Sequence, residues 1–299
     1  MNVVLVRPDA GVYRRFKLGR RKIVLPPLGL LYLASVLERG GHTVHIVDAE
    51  AEGLTLERAV EKTLSFRPDI VGAGATTPEM PTVAEFLRRV KESSGETVTI
   101  AGGFHPSALP AETLKESPWI DFVVRGEGEV TLSELVRVLE SGGEYETIDG
   151  IGFRKDRRIV LTRPRPPIMN VDEIPFPARH LVDPENYKMP VPGEGLVRST
   201  MVQTSRGCPY RCIFCYRSKD PAPLRPHSPE YVVNELEEAV RRYGVRGVVF
   251  ADDTFTFSKK RTIQISNMIV ERGLDIHWYC LTGTVWQGQT RLTERCWLL

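Results

Sequence analysis

Hydrophobic residues in the first half of the chain alternate between short apolar runs and segments with helical spacing. The apolar runs predict β-strands at Val3 to Val6, His42 to Asp48, Ile70 to Ala75, Thr97 to Ala101 and Phe122 to Val124. The helical spacing predicts helices at Leu28 to Glu38, Leu56 to Phe66, Val83 to Glu92 and Thr131 to Leu139. Strands that alternate with helices form parallel βαβ units, so we expect an α/β fold with a doubly wound, Rossmann-like parallel sheet.

The segments that follow these strands are short, polar or rich in glycine. They are Arg7-Pro8, Ala75 to Thr77, Gly102 to Pro106 and Arg125 to Glu129. Doubly wound sheets bind ligands beyond the carboxyl ends of their strands. The pattern therefore predicts a large ligand that lies across this edge of the sheet.

The second half of the chain starts a new alternating series. Residues 148–162 predict a small β-hairpin, and the proline-rich residues 164–196 predict an ordered connector. Strands are then expected at Thr200 to Thr204, Gly247 to Ala251 and Ile276 to Leu281, with helices at Pro229 to Tyr243 and Lys259 to Glu271. We thus expect a Rossmann-like domain at 1–145, the hairpin and connector at 146–195, and a second parallel sheet or barrel at 196–299.

Composition narrows the classes of protein that fit. The 299 residues are 41% hydrophobic and 26% charged with a net charge of +2, which is typical of a globular protein and makes no case for nucleic-acid binding. No apolar run is long enough to span a membrane, and the strand-like start lacks the features of a signal peptide. We therefore expect a cytoplasmic protein with no membrane span.

The cysteines give the sharpest chemical signal. Three of the five, Cys208, Cys212 and Cys215, form a C-x3-C-x2-C loop after a predicted strand. Such a tight triplet favours metal over disulfides, and thiolates bind iron–sulfur clusters. Two alternatives stay open: a zinc site that His227 completes, and a closed cluster with Cys280 as a fourth ligand.

The cysteine loop resembles the signature of the radical SAM family. The resemblance implies that Cys208, Cys212 and Cys215 hold one [4Fe–4S] cluster, whose open iron binds S-adenosylmethionine. It also implies that Phe214 packs near the adenine, and that Asp252 or Asp253 meets the methionine amino group. The alternative for these aspartates is the N-cap of the following helix. A low-potential electron is needed as well, which implies a flavodoxin or ferredoxin as electron donor.

The first half resembles the cobalamin-binding domain of one radical SAM subfamily. The resemblance lies in Pro26 to Glu50, Ala101 to Leu114, Val123 to Leu135 and the connector Val171 to Asp183. It implies a set of cobalamin contacts at the strand ends: Thr76, Gly102, Gly103, His105, Gly126, Glu127 and Gly128. The Asp-x-His-x-x-Gly motif that ligates cobalt in other cobalamin proteins is missing after the first strand. Two interpretations of His105 stay open: a ligand of cobalt, or a loop histidine bonded to backbone or to an amide of the ligand.

The resemblance implies a βα partial barrel at 196–299 that is incomplete, because the resemblance ends near Thr282. The chain is therefore expected to be truncated within the radical SAM core. The function that it implies is hydrogen abstraction followed by methyl transfer from cobalamin to a carbon of a small-molecule or natural-product substrate. Three alternatives are an oxidative cyclase or rearrangement enzyme of the same family, a non-catalytic corrinoid- or cluster-binding protein, and a zinc-stabilised interaction module. The sequence assigns no catalytic side chain.

Overall fold

The structure is a computed structural model, which describes residues 1–11, 17–18, 21–210, 212–213, 215, 223–280 and 296–298. The chain forms two compact units. The first comprises Met1–Lys22, Pro27–Ile168 and Pro175–Val182, and the second comprises Ile23–Pro26, Met169–Ile174 and Asp183–Leu299. No helix in the described ranges is both long and apolar enough to cross a membrane.

The first unit alternates strands and helices as its sequence predicts. Its strands are β1 (Asn2–Arg7), β2 (Lys17–Leu18), β3 (Arg21–Lys22), β4 (Thr43–Asp48), β5 (Ile70–Gly74), β6 (Val98–Gly102), β7 (Phe122–Val124), β8 (Ile151–Lys155) and β9 (Arg158–Leu161). Its helices are α1 (Leu28–Arg39), α2 (Ala49–Glu52), α3 (Leu56–Ser65), α4 (Met80–Ser93), α5 (Phe104–Ala108), α6 (Pro110–Glu116) and α7 (Gly128–Ser141). Short 3₁₀ turns follow at Tyr145–Thr147 and Arg179–Leu181.

A seven-stranded sheet forms the centre of this unit, with the order β4-β1-β5-β6-β7-β8-β9. Strands β4 to β7 and β1 are parallel, whereas the predicted hairpin of β8 and β9 adds two antiparallel strands at the β7 edge. The chain moves outward from β1 to β4 and then returns to β5 on the other side of β1. The predicted doubly wound sheet is therefore confirmed, with its topological switch point between β1 and β5.

Strand β1 shows why a continuous apolar run belongs at the centre of such a sheet. Val3 and Leu5 pack into one core cluster together with residues of α1 and α7. Val4 and Val6 pack into a second cluster together with residues of α3 and α4. Successive side chains of a strand point to opposite faces, and helices cover both faces here, so every position of the run is buried.

The second unit has a smaller sheet. Its strands are β10 (Lys188–Val191), β11 (Gly195–Val202), β12 (Ser205–Arg206), β13 (Arg225–Pro226), β14 (Gly247–Phe250), β15 (His277–Cys280) and β16 (Cys296–Leu298). Its helices are α8 (Pro229–Tyr243) and α9 (Lys259–Glu271), and 3₁₀ turns lie at Val171–Glu173, Pro184–Asn186 and Phe255–Phe257. The sheet order is β10-β11-β14-β15-β16, while β12 and β13 pair separately as a two-stranded ribbon.

Helices α8 and α9 cover one face of this sheet, where a core cluster joins them to β11, β14 and β15. Strands β11, β14, β15 and β16 run parallel. This series is the predicted partial barrel.

Two details of the second sheet correct the sequence-based prediction. The sequence predicts three parallel strands, but Cys296–Leu298 pairs with β15 as a fourth. The proline-rich connector also contains a strand, because Lys188–Val191 pairs antiparallel with β11. Proline cannot donate a ladder hydrogen bond, and Pro190 is tolerated because β10 is an edge strand.

Candidate functional site

The carboxyl edge of the first sheet gathers the predicted cobalamin contacts. Thr76 follows β5, Gly102 and Gly103 end β6, and Gly126 follows β7. Because these neighbouring strands are parallel, their carboxyl ends meet at one edge. The edge lies on the β5 side of the switch point, which is where doubly wound sheets bind their ligands.

Gly103 is the tightest point of this edge. Its φ of 91° and ψ of −166° fall in a region that only glycine occupies readily. A Cβ atom at this position would lie 2.9 Å from both the N and the O of Ala75. The Ala75 N–H donates to Gly102 O at 2.9 Å, and the His105 N–H donates to Ala75 O at 3.0 Å. A glycine here thus lets the ends of β5 and β6 close against each other.

The predicted side-chain contacts at this edge have polar partners within the protein. The Thr76 N–H and hydroxyl both donate to Glu79 Oε2, at 2.8 and 2.6 Å. His105 is half-buried, and its Nδ1 lies 3.2 Å from Thr77 Oγ1. Glu79 is a partner that the sequence prediction missed, although the Thr-x-x-Glu spacing is a known signal for such a pair. His105 lies in the short helix α5, which the sequence did not predict, so the interpretation as a loop histidine is wrong.

In the segment after β7, Gly126 is open to solvent, whereas Glu127 and Gly128 contact other parts of the first unit. Gly126 is exposed with a φ of 73°, its N–H donates to Ser107 Oγ at 2.9 Å, and no atom lies within 4 Å of where a Cβ would stand. The Glu127 carboxylate accepts the Ile168 N–H at 2.8 Å. At Gly128 a Cβ would meet Leu33 Cδ2 at 2.9 Å, so a larger residue there would require the Leu33 side chain to move.

An edge of this kind fits a broad ligand rich in amide groups. The exposed Gly103 and Gly126 offer backbone without side chains to obstruct it, and the Phe104 ring beside them is 73% exposed. Cobalamin has these requirements, so the residues present are compatible with it.

The cysteine loop of the second unit, residues 207–224, begins and ends at the ribbon of β12 and β13. Cys208 is half-buried, whereas Cys212 and Cys215 are exposed, and none of the three forms a disulfide. The Cys215 N–H donates to Cys212 O at 3.2 Å, and Cys208 Sγ lies 3.9 Å from Thr254 Oγ1. Phe214 lies outside the described residues.

The donor set of this loop fits an iron–sulfur cluster, because three accessible thiols follow the end of a parallel strand. Within the described ranges, the structure brings together no group of three or more His, Cys, Asp or Glu side chains that could hold a metal ion. The three thiols therefore share a loop but do not converge on one point. Cys280, the alternative fourth ligand, is buried in the apolar core of the second unit.

The two adjacent aspartates after β14 have different surroundings. Asp252 is fully buried and accepts hydrogen bonds from Thr204 N at 2.6 Å, Thr204 Oγ1 at 2.6 Å and Ser205 Oγ at 2.8 Å. Burial raises the pKa of Asp252, although these hydrogen bonds act in the opposite direction. Asp253 is exposed. The alternative role as helix N-cap is wrong, because Ser258 caps α9.

His227 directly follows β13, the second strand of the ribbon. Its ring is buried and stacks on Tyr231 at 4.1 Å, and its Nδ1 lies 3.0 Å from Asp172 Oδ1. Burial lowers the pKa of His227 to about 4, although Asp172 acts in the opposite direction. The neutral ring therefore donates from Nδ1 to the carboxylate. Its Nε2 is buried and has no hydrogen-bond partner in the described part of the chain. No local pattern in the sequence pointed to Asp172 as this partner.

Fold and site together define a protein with a doubly wound sheet followed by a parallel sheet that carries a cysteine loop. The family model of the B12 binding domain matches residues 15–136, and that of the radical SAM superfamily matches residues 202–286. The chain belongs to the radical SAM proteins that carry a B12-binding domain.

Two curated relatives and one solved structure illustrate the similarity. An uncharacterized methyltransferase of Pyrococcus horikoshii is 43% identical over 85% of this chain and 54% of its own length. The anaerobic magnesium-protoporphyrin IX monomethyl ester cyclase of Rubrivivax gelatinosus is 33% identical over 90% of this chain and 47% of its own length.

The solved structure is the cobalamin-dependent S-adenosylmethionine radical enzyme OxsB with aqua-cobalamin and S-adenosylmethionine bound. It superposes with a TM-score of 0.77 at 22% identity, over 93% of this chain and 38% of that one. The similarity supports the fold. The chain spans about half the length of the two curated relatives.

Proposed function

We propose that this chain forms the cofactor-binding part of a B12-dependent radical SAM enzyme that transfers a methyl group to a carbon of a small-molecule substrate. The observation that carries the proposal is the loop with Cys208, Cys212 and Cys215 at the end of a parallel strand, in a chain that also matches the B12 binding domain. The 43% identity to a protein named as a methyltransferase supports the reaction type.

Different residues of the second unit would bind the cluster and S-adenosylmethionine. Cys208, Cys212 and Cys215 would each supply a thiolate, which leaves one iron without a protein ligand. Asp253 is better placed than Asp252 to receive an ammonium group, because its carboxylate is exposed whereas that of Asp252 is occupied. When bound, the cluster supplies the electron that cleaves S-adenosylmethionine, and cobalamin supplies the methyl group.

In the first unit, the carboxyl edge of the sheet would bind the corrinoid. The exposed glycines Gly103 and Gly126 would allow close approach, while Thr76 and His105 are held in place by Glu79 and Thr77. We further propose a cytoplasmic location and an external electron donor of the flavodoxin or ferredoxin type.

The test is anaerobic reconstitution of the full chain with iron, sulfide and hydroxocobalamin. We expect four irons per chain from a [4Fe–4S] assignment, an EPR signal after reduction, a corrinoid absorption spectrum that changes on binding, and formation of 5′-deoxyadenosine from S-adenosylmethionine. Cys208→Ala should abolish the EPR signal, and the control Cys280→Ala should retain it because Cys280 lies in the core. An iron-free wild-type chain that resembles Cys208→Ala would refute the proposal.

Oxidative cyclisation is a second candidate, since three cyclases named for the same reaction are 32–34% identical to this chain. The two reactions differ in the fate of the S-adenosylmethionine methyl group. Labelled methyl carbon that reaches the bound corrinoid, together with S-adenosylhomocysteine, supports methyl transfer. Formation of 5′-deoxyadenosine without any methyl transfer to the corrinoid supports cyclisation.

A further inference from the structure

The cysteine loop is closed at its base by two residues, Thr204 and His227, which we call the loop roots. Thr204 precedes β12 and His227 follows β13, and these short strands pair antiparallel. The His227 N–H donates to Thr204 O at 2.9 Å, which continues the ribbon by one more hydrogen bond. The loop roots therefore hold together the two points at which the loop begins and ends.

One buried side chain joins both loop roots. Arg261 on α9 is 9% exposed, and its Nη2 donates to Thr204 O at 2.7 Å and to His227 O at 2.9 Å. Its Nε donates to His227 O at 3.2 Å, and its Nη1 donates to Thr204 Oγ1 at 3.1 Å. All three guanidinium nitrogens are thus used on the loop roots, and Arg261 Cζ stands 5.5 Å from the centre of the Phe257 ring.

Asp252 binds the first loop root from the end of β14. Its carboxylate accepts the Thr204 N–H, the Thr204 hydroxyl and the Ser205 hydroxyl. The Thr204 hydroxyl accepts from Arg261 and donates to Asp252, so it links the two opposite charges. A buried charge is costly unless it is paired and hydrogen-bonded, and here each of the two buried ions compensates the other.

We propose that Asp252 and Arg261 are positioning residues, which together clamp the roots of the cysteine loop and so fix the base from which its three thiols would bind a cluster. The proposal rests on the proposed function insofar as the loop holds a cluster. Asp252 is thereby assigned to loop geometry, which leaves Asp253 as the exposed carboxylate beside it.

The clamp requires the shape of arginine as well as its charge. A guanidinium is a planar fork that can donate to several acceptors at once, whereas a lysine ammonium is a single point on a flexible stem. Arg261→Lys should therefore keep the charge that compensates Asp252 but bind one loop root at a time. Arg261→Met removes both properties, and Asp252→Asn removes the carboxylate that acts most strongly on the buried guanidinium, so that only Asp172 still opposes its charge.

The test uses the full chain with these three variants and a matched control. Arg272→Met is the control, because Arg272 follows the same helix but pairs on the surface with Asn234 and Glu237. The measurements are cluster content, EPR of the reduced protein, the rate of iron loss to a chelator, and hydrogen exchange of residues 204–227 in the apo protein. Circular dichroism of each apo variant checks that it folds.

We expect Arg261→Met to release iron about tenfold faster than the wild type, which is the scale of losing hydrogen bonds to a charged group. Arg261→Lys should lie between the two, and Arg272→Met should stay within about twofold of the wild type. In the apo protein, exchange at the Thr204 and His227 amides should speed up in Arg261→Met while α8 is unaffected. If Arg261→Met does not fold, Arg261→Lys and Asp252→Asn test the clamp instead, and their iron release and hydrogen exchange are compared with those of the wild type.

Folded variants that match the wild type in iron release and in exchange at the loop roots would overturn the clamp. A wild-type chain that takes up no cluster would instead contradict the proposed function. The exchange measurement needs no cluster, so it judges the clamp in that case as well.

Discussion

Gly103 offers the sharpest test of how the edge of the first sheet is built. Gly103→Ala adds one methyl group at a position whose φ is 91° and ψ is −166°. The new Cβ would stand 2.9 Å from the Ala75 N and O, which are backbone atoms and cannot rotate away. The hydrogen bonds that join Ala75 to Gly102 and to His105 would have to lengthen to relieve this contact.

Two contributions set the size of the effect. A residue forced into a sparsely populated backbone region costs about 1–3 kcal/mol. The steric shift of Ala75 adds to this and disturbs hydrogen bonds worth about 1 kcal/mol each. We therefore expect Gly103→Ala to lower the free energy of unfolding of the first unit by about 3 kcal/mol or more.

Gly126→Ala and Gly95→Ala are matched controls. Gly126 has a φ of 73° with no atom within 4 Å of where the new methyl group would stand, so it carries only the left-handed backbone cost of about 1–2 kcal/mol. Gly95 has open space and no positive φ, so alanine there should be neutral or stabilise by up to about 1 kcal/mol.

Urea unfolding, followed by circular dichroism and by hydrogen exchange of the β5 and β6 amides, measures these differences. Corrinoid binding to each folded variant shows whether the edge keeps its shape. If Gly103→Ala loses no more stability than Gly126→Ala, the close approach of Gly103 to Ala75 does not govern this edge, and the reasoning fails.

Three further predictions concern the second unit. Lowering the pH from about 6.5 to about 4 should destabilise it by on the order of 3 kcal/mol, because the unfolded state protonates His227 and the folded state does not. The urea midpoint measured against pH tests this, and His227→Phe should flatten the profile. Ser228→Ala should cost about 1 kcal/mol, since Ser228 Oγ accepts the Tyr231 N–H at the start of α8; an unchanged urea midpoint would contradict this. Leu236→Ala should cost about 2–5 kcal/mol by calorimetry or urea, because Leu236 is fully buried, and a loss below about 1 kcal/mol would show a core that refills the cavity.

Much of the fold follows from local sequence pattern. The run from Val3 to Val6 is apolar at every position, which indicates a strand covered on both faces, and both core clusters receive its side chains. The alternation of such runs with helical segments is enough to predict the parallel sheet. Strands β10 and β16 were missed because their pairing partners are distant in sequence and their own residues lack the usual signal.

The candidate site likewise has features that follow from the local sequence and features that depend on tertiary contacts. The spacing of Cys208, Cys212 and Cys215 is a local property, so the sequence alone indicates a loop of three thiolate donors. Asp252 and Asp253 are chemically identical neighbours beyond the end of β14, so no local pattern distinguishes them. Which one is buried depends on Thr204 and Ser205, which approach from another part of the chain.

The sequence by itself determined the class of fold, the presence of a closely spaced cysteine triplet and the order of the two domains, because each depends on short-range periodicity or spacing. The tertiary structure alone decided that Arg261 joins both roots of the cysteine loop and that Gly103 presses against Ala75. Both depend on atoms that are far apart along the chain, and only the packing of strands and helices brings such atoms into contact.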